Sequence, residues 1–252
     1  MELKLEGKIV LLTGGTGEIG RQICRDFLTE GCRVVCLIRN PEKFEKLKSW
    51  LHEKGEDTSM VHAVACNLSV KTELDAAVKE ITGQFKRLDI LVNCAGSVEE
   101  IPFAMMDEER IDTIIENNLK NTLMVTQAVL RPMFLQKAGA IVNVSSITGI
   151  KGGRGVTTYA AAKAGIDSFT RTLASEVGKK NIRVNAVRPG PIETAMSKPL
   201  KDRIENFIPN AMILGRFGKP EEVSKAVLFL AAEETASYIT GSFINVDGGY
   251  MV

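Results

Sequence analysis

Short apolar runs rich in Val and Ile alternate along the whole chain with longer segments in which apolar residues recur every three or four positions. The runs 8–13, 33–38, 60–66, 88–93, 140–145, 183–187 and 243–246 are each bounded by polar or turn residues, which predicts strands. Between them, the periodicity predicts helices over 19–30, 41–54, 71–85, 108–136, 157–179 and 221–232. Strands that are apolar throughout, regularly separated by helices, bury both of their faces. The expected fold is therefore α/β: a Rossmann-like, doubly wound, seven-stranded parallel sheet with helices on both faces and right-handed crossovers. No repeat or Pro/Gly-rich linker divides the chain, so residues 1–252 read as one domain. The longest irregular stretch, 189–220, carries an amphipathic piece at Lys201–Phe207, so a substrate lid is expected over about 191–218.

Composition narrows the picture by exclusion. The 32 basic residues nearly cancel the 31 acidic ones, leaving no field to recruit nucleic acid or an anionic membrane. Neither a basic-then-apolar leader nor a membrane-length apolar run is present, so a cytoplasmic protein is expected. The five cysteines contain no Cys-x-x-Cys pair and read as reduced thiols. Only His52 and His62 are available, without ligand partners at metal spacing, so neither a metal site nor a histidine-based triad is expected.

The first strand runs directly into Thr13-Gly14-Gly15-Thr16-Gly17-Glu18-Ile19-Gly20 and then a helix. In that context a glycine-rich turn is a dinucleotide fingerprint: its backbone approaches the pyrophosphate, and the helix N-terminus offers unpaired N–H groups and partial positive charge. At the tip of the second strand, where NAD(H) recognition uses an acid on the ribose hydroxyls, stand Ile38 and then Arg39. A guanidinium there can fork onto a 2′-phosphate, which favours NADP(H) over NAD(H). Nearby Lys43 and Lys46 read as solvated helix residues.

Seven segments, in order and at matching intervals, resemble the short-chain dehydrogenase/reductases of standard, single-domain length. They are Thr13–Gly20, Asn93-Cys94-Ala95-Gly96, Asn117-Asn118-Leu119, Asn143-Val144-Ser145-Ser146, Tyr159-Ala160-Ala161-Ala162-Lys163, Arg188-Pro189-Gly190 and Asn245–Gly249. Tyr159 and Lys163 are four apart on a predicted helix and so share a face. A cation near a phenol that ordinarily titrates near pH 10, together with an oxidised nicotinamide, is expected to lower its pKa. Tyr159 then exchanges a proton with the substrate oxygen while the nicotinamide exchanges a hydride. Ser146, thirteen residues earlier at a strand end, is placed to hydrogen-bond that oxygen.

Other roles are implied by the resemblance alone. Asn118 would hold a water beside Lys163 for reprotonation. Asn93, Ala95 and Gly96 would flank the adenosine ribose, although a structural duty serves Asn93 equally well. Asn67, followed by Leu68, stands where the family usually has an aspartate for the adenine amino group. Pro189, Gly190, Ile192 and Thr194 match the segment that holds the nicotinamide carboxamide. Dimers or tetramers built on the two long helices are implied as well.

The sequence departs from the family in the phosphate turn, where Glu18 replaces glycine and the middle glycine has moved to Gly17. A carboxylate there would repel the pyrophosphate unless turned to solvent, while an acid also suits the first turn of a helix. The C-terminal half, from Gly215 to Gly249, most resembles 3-oxoacyl-acyl carrier protein reductases of fatty acid biosynthesis. By that resemblance, Lys137 and Lys180 match the basic residues that dock an acidic carrier. A ketone, secondary alcohol or acyl thioester is the expected substrate. Against acyl-carrier specificity, Ser97-Val98-Glu99-Glu100 replaces the run usual in that group. A sugar or cyclic-alcohol dehydrogenase and a non-catalytic, redox-sensing dinucleotide binder are the alternatives; the latter has no need of a proton relay.

Overall fold

The computed structural model describes residues 2–194 and 212–250, so the amphipathic piece expected at Lys201–Phe207 lies outside the described residues. Seven strands, β1 (Ile9–Thr13), β2 (Arg33–Ile38), β3 (Val61–Ala65), β4 (Ile90–Asn93), β5 (Gly139–Val144), β6 (Ile182–Pro189) and β7 (Phe243–Val246), form one sheet. All neighbours pair in parallel, in the order β3-β2-β1-β4-β5-β6-β7. The expected doubly wound sheet is thus present, each strand matching its predicted run to within about two residues.

Alternation along β1 shows how both faces are covered. Val10 and Leu12 pack into one core cluster with Ile23 and Phe27 of helix α1 (Glu18–Thr29) and Leu47 and Leu51 of α2 (Pro41–Glu53). Ile9 and Leu11 face the other way, into a cluster with Leu74 and Ile81 of α3 (Lys71–Phe85). Each such side chain, fully removed from water, contributes about 1.5–3 kcal/mol, so neither face can be uncovered without loss of the fold. Among the described residues, no helix is long and apolar enough to cross a membrane.

The expected single helix over 108–136 is instead two, α4 (Glu108–Ile115) and α5 (Asn121–Gln136), joined by a π-helical turn at Glu116–Lys120. The turn contains Asn118, which is fully buried. Its amide hydrogens go to the carbonyls of Ile114 at 2.9 Å and Ser97 at 2.7 Å, and its oxygen accepts from Ser97 N at 3.2 Å. A π-turn inserts a residue into the helical ladder and redirects the side chains that follow, commonly at functional sites. After β5 come a short helix, α6 (Thr148–Lys151), and then α7 (Thr157–Val177). Helices α8 (Pro220–Ala231) and α9 (Glu233–Ala236) precede β7.

The chain departs in opposite directions from the two central neighbours: β1 leads to β2, and β4 leads to β5. Such a switch point opens a crevice at the carboxyl ends of the strands.

Candidate active site

At the switch point, the turn after β1 packs against the segment after β4. Thr13 Oγ1 accepts from both Cys94 N and Ala95 N at 3.1 Å, tying the two loops together. Gly14, at φ +69°, lies so close that a Cβ would stand 2.7–2.8 Å from the backbone of Ala95 and Cys94. A Cβ at Gly20 would be 2.0 Å from the Gly14 carbonyl oxygen, so the first turn of α1 can sit on the loop only without a side chain there. Gly17 precedes the helix with an ordinary φ of −81°, and Glu18 is its first residue, where an acid favours the dipole.

Beside this turn is a cavity of about 340 Å³, lined by Gly14, Thr16, Ile38, Arg39, Asn67, Leu68, Ala95 and Gly96 from the sequence reading. That volume falls within the range of roughly 300–1,000 Å³ usual for small-molecule sites. Sequence reasoning missed Asn40, Cys66, Ser97, Asn117 and Asn121 on its wall, and treated Lys43 as a solvated helix residue. Lys43 reaches the wall because Asn40 caps α2, its side-chain oxygen accepting from Glu42 N at 2.8 Å and Lys43 N at 3.2 Å. That cap was legible in the Asn40-Pro41 pair. Ser97 had no signal of its own.

Some expected contacts are otherwise employed. Asn93 is 3% exposed and lies off the cavity wall; its amide nitrogen donates to Thr126 Oγ1 at 3.0 Å and Asn143 Oδ1 at 2.9 Å. Asn143 in turn donates to Thr170 Oγ1 at 2.9 Å, so a polar chain crosses β4 and β5 and links α5 to α7. The structural duty is the one observed for the Asn93 side chain. Asn67 Oδ1 accepts from Ser69 N at 3.1 Å, leaving one acceptor position for a ligand. Pro189 ends β6, and Gly190 packs against Asp247. Ile192 is buried in the core and pairs in a bridge with Gly218, while Thr194 Oγ1 bonds the Ile192 carbonyl at 3.4 Å.

The four expected catalytic residues converge. Tyr159 and Lys163 lie one turn apart on α7, with the ammonium 5.5 Å from the phenol ring centroid. Lys163 is 5% exposed, and Nζ donates to the Val144 carbonyl at 2.9 Å. Ser146 is buried just beyond β5; its Oγ lies 2.5 Å from Thr148 Oγ1, and its hydroxyl is near enough to the Tyr159 phenol to lower the phenol's pKa. Asn118 Oδ1 and Lys163 Nζ both border Gly96, at 2.6 and 3.6 Å from where its Cβ would be. No side chain at residue 96 could fit between them.

The electrostatics correct one expectation. Burial pushes the Tyr159 phenol up to about 12, against the opposing hydrogen bond from Ser146, rather than down as the neighbouring cation suggested. The phenol is enclosed by protein on nearly every side, so the cost of desolvating a phenolate dominates, and the Cys94 thiol adds to it. The same burial lowers Lys163 to about 8. Near neutral pH the site therefore holds a protonated phenol beside a protonated amine, a group set to give a proton.

A second correction concerns Lys137 and Lys180. Lys137 caps the end of α5 just before β5 begins at Gly139, and Lys180 immediately precedes β6. The two segments are neighbours, since Gly139 N donates to Asn181 O at 3.2 Å. Both thus lie at the amino edge of the sheet, whereas the site lies at its carboxyl edge, a strand length away. Neither can border the site entrance of its own chain.

Comparison with known proteins agrees with this geometry. A family model described as Enoyl-(Acyl carrier protein) reductase matches residues 15–251. The chain is 40% identical over 250 residues to 3-oxoacyl-[acyl-carrier-protein] reductase FabG of Thermotoga maritima, covering 99% of this chain and 100% of that protein. It is 39% identical over 248 residues to acetoacetyl-CoA reductase of an Acinetobacter strain, covering 97% and 98%. Among solved structures, a short-chain type dehydrogenase/reductase from Mycobacterium marinum superposes with a TM-score of 0.91 at 30% identity, covering 99% of this chain and 97% of that one.

Proposed function

The chain belongs to the short-chain dehydrogenase/reductase family, and from that premise we propose that it reduces the ketone of a 3-oxoacyl thioester to a secondary alcohol with NADPH. The observation that carries this reading is the convergence of Ser146, Lys163 and Asn118 on Tyr159, whose phenol is held protonated. The substrate carbonyl oxygen accepts hydrogen bonds from Ser146 and Tyr159, and the phenol gives up its proton as negative charge develops there. Lys163 stabilises the phenolate left behind, and the remaining acceptor position of Asn118 orients a water that returns the proton. The dinucleotide, when bound, supplies the hydride.

The cavity beside the glycine turn fits the adenosine end of such a dinucleotide. Arg39 and Lys43 stand on one wall with no acid at residue 38 or 39, which supports a 2′-phosphate ligand and hence NADPH. The relatives named for 3-oxoacyl carrier-protein and acetoacetyl-CoA reduction support an acyl thioester substrate. A self-associating assembly through α5 is supported by Leu123 and Phe134, which remain 37% and 40% exposed and three turns apart on one face.

The test is a substrate panel with both nicotinamides, including 3-oxoacyl thioesters of coenzyme A and of a carrier protein, and cyclic or sugar ketones. Consumption of NADPH with the thioesters is expected. Absence of turnover with every carbonyl would sink the reading, and a preference for sugar ketones would sink the substrate assignment.

A further inference from the structure

Below Lys163 on the same face of α7 lies Asp167, one turn further on and 4% exposed. Its Oδ2 accepts a hydrogen bond from Arg188 Nε at 3.0 Å and forms an ion pair with the terminal guanidinium nitrogen at 2.9 Å. Arg188 stands on β6 immediately before Pro189, with its guanidinium 3.7 Å from the centroid of the Phe243 ring on β7. The other carboxylate oxygen, Oδ1, is buried and has no hydrogen-bond partner. A buried ion pair of this kind seldom repays its desolvation in stability, and a carboxylate oxygen left unpaired makes it costlier.

We propose that Asp167, locked in place by Arg188, is a positioning residue for the reaction, its carboxylate being the counter-charge against which buried Lys163 keeps its cation. This rests on the function proposed above. The groups that face Lys163 are the Cys94 thiol from the end of β4, the Tyr159 phenol and Asp167 from α7, and the uncharged Val144 carbonyl and Asn118 amide from β5 and the π-turn. Burial pushes both Cys94 and Tyr159 up to about 12, so each is neutral where Lys163 titrates. Of these groups, Asp167 alone is then anionic. Desolvation drives Lys163 towards neutrality, and Cys94 and then Asp167 oppose it; with the Cys94 thiol uncharged, Asp167 is the opposing charge that remains. The ion pair also fixes the carboxylate on the α7 side of β6, so the counter-charge cannot swing to solvent.

A lysine whose folded pKa is depressed loses its proton as pH rises through that value, and removing the opposing anion depresses it further. In D167N, both the Lys163 titration, followed by NMR of 13C-lysine-labelled protein with K163M for assignment, and the alkaline limb of kcat/KM for ketone reduction should move down by about one pH unit. The deficit of the variant should shrink as pH falls, because Lys163 regains its proton below the shifted midpoint.

A pair that merely pins α7 to β6 would lower stability and leave both midpoints in place, and that result overturns the proposal. If D167N does not fold, D167N/R188M is compared with R188M alone for the same two midpoints; the Arg188 charge is absent from both, so equal midpoints overturn the proposal. An unshifted Lys163 signal counts against Asp167 alone, whereas a parent enzyme inactive on every carbonyl counts against the proposed reaction and leaves the NMR titration to decide this point.

Discussion

Gly96→Ala probes the site by one methyl group. The added Cβ would lie 2.6 Å from Asn118 Oδ1, so one of the two must give by about 0.8 Å to restore ordinary contact. Asn118 has little room to give, since its three hydrogen bonds to Ser97 and Ile114 are at 2.7–3.2 Å and it is fully buried. Losing one or two of them costs about 0.5–3 kcal/mol of stability, at roughly 0.5–1.5 kcal/mol each. The kinetic penalty should be larger in proportion, because a displacement approaching 1 Å in a group that orients a reacting proton costs on the order of 10²-fold in rate. Steady-state NADPH oxidation with a 3-oxoacyl thioester, alongside thermal denaturation, measures both. The expected result is a folded enzyme with kcat lowered about 100-fold and NADPH affinity lowered far less. Parental kcat in a folded Gly96→Ala protein would refute the role given to Asn118.

Other substitutions separate the remaining parts of the site. Arg39→Ala and Lys43→Ala should each weaken NADPH binding, by about 1–2 kcal/mol, and leave NADH binding nearly unchanged; equal losses for the two nucleotides in titration calorimetry would remove the case for 2′-phosphate recognition. Glu18→Gly should tighten NADPH binding while lowering the melting temperature, since the helix loses an acid from its first turn and gains a flexible residue. No gain in affinity would show that the carboxylate does not oppose the pyrophosphate. Lys137→Glu with Lys180→Glu should leave kcat and KM for coenzyme A thioesters unchanged, and a loss would contradict their placement at the far edge of the sheet.

Most of the fold was legible because a doubly wound sheet writes itself in strands that are apolar on both sides. β1 is buried at every position and its neighbours nearly so, which no surface strand allows. The Tyr159/Lys163 pair was legible for a similar reason, as helical spacing alone puts the two on one face. The π-turn was not, because one inserted residue leaves the apolar periodicity of 108–136 almost intact and only the paired Asn117-Asn118 marks it. The upward shift of the Tyr159 phenol was also hidden, since it depends on how much protein surrounds the ring rather than on which residues are near in sequence. Lys137 and Lys180 were misplaced because matching charges along a chain ignores which edge of a parallel sheet each connection occupies. The Asp167–Arg188 pair spans 21 residues and two elements, and no local pattern announces it.

The central claim is that the Tyr159 phenol delivers the proton, and the most direct measurement compares the single-turnover rate of ketone reduction in the parent and in Tyr159→Phe, each saturated with NADPH. Only a hydroxyl is removed, so dinucleotide affinity should be unchanged while the rate falls by about 10²–10⁴-fold. A Tyr159→Phe enzyme that reduces the ketone at the parental rate would contradict the account.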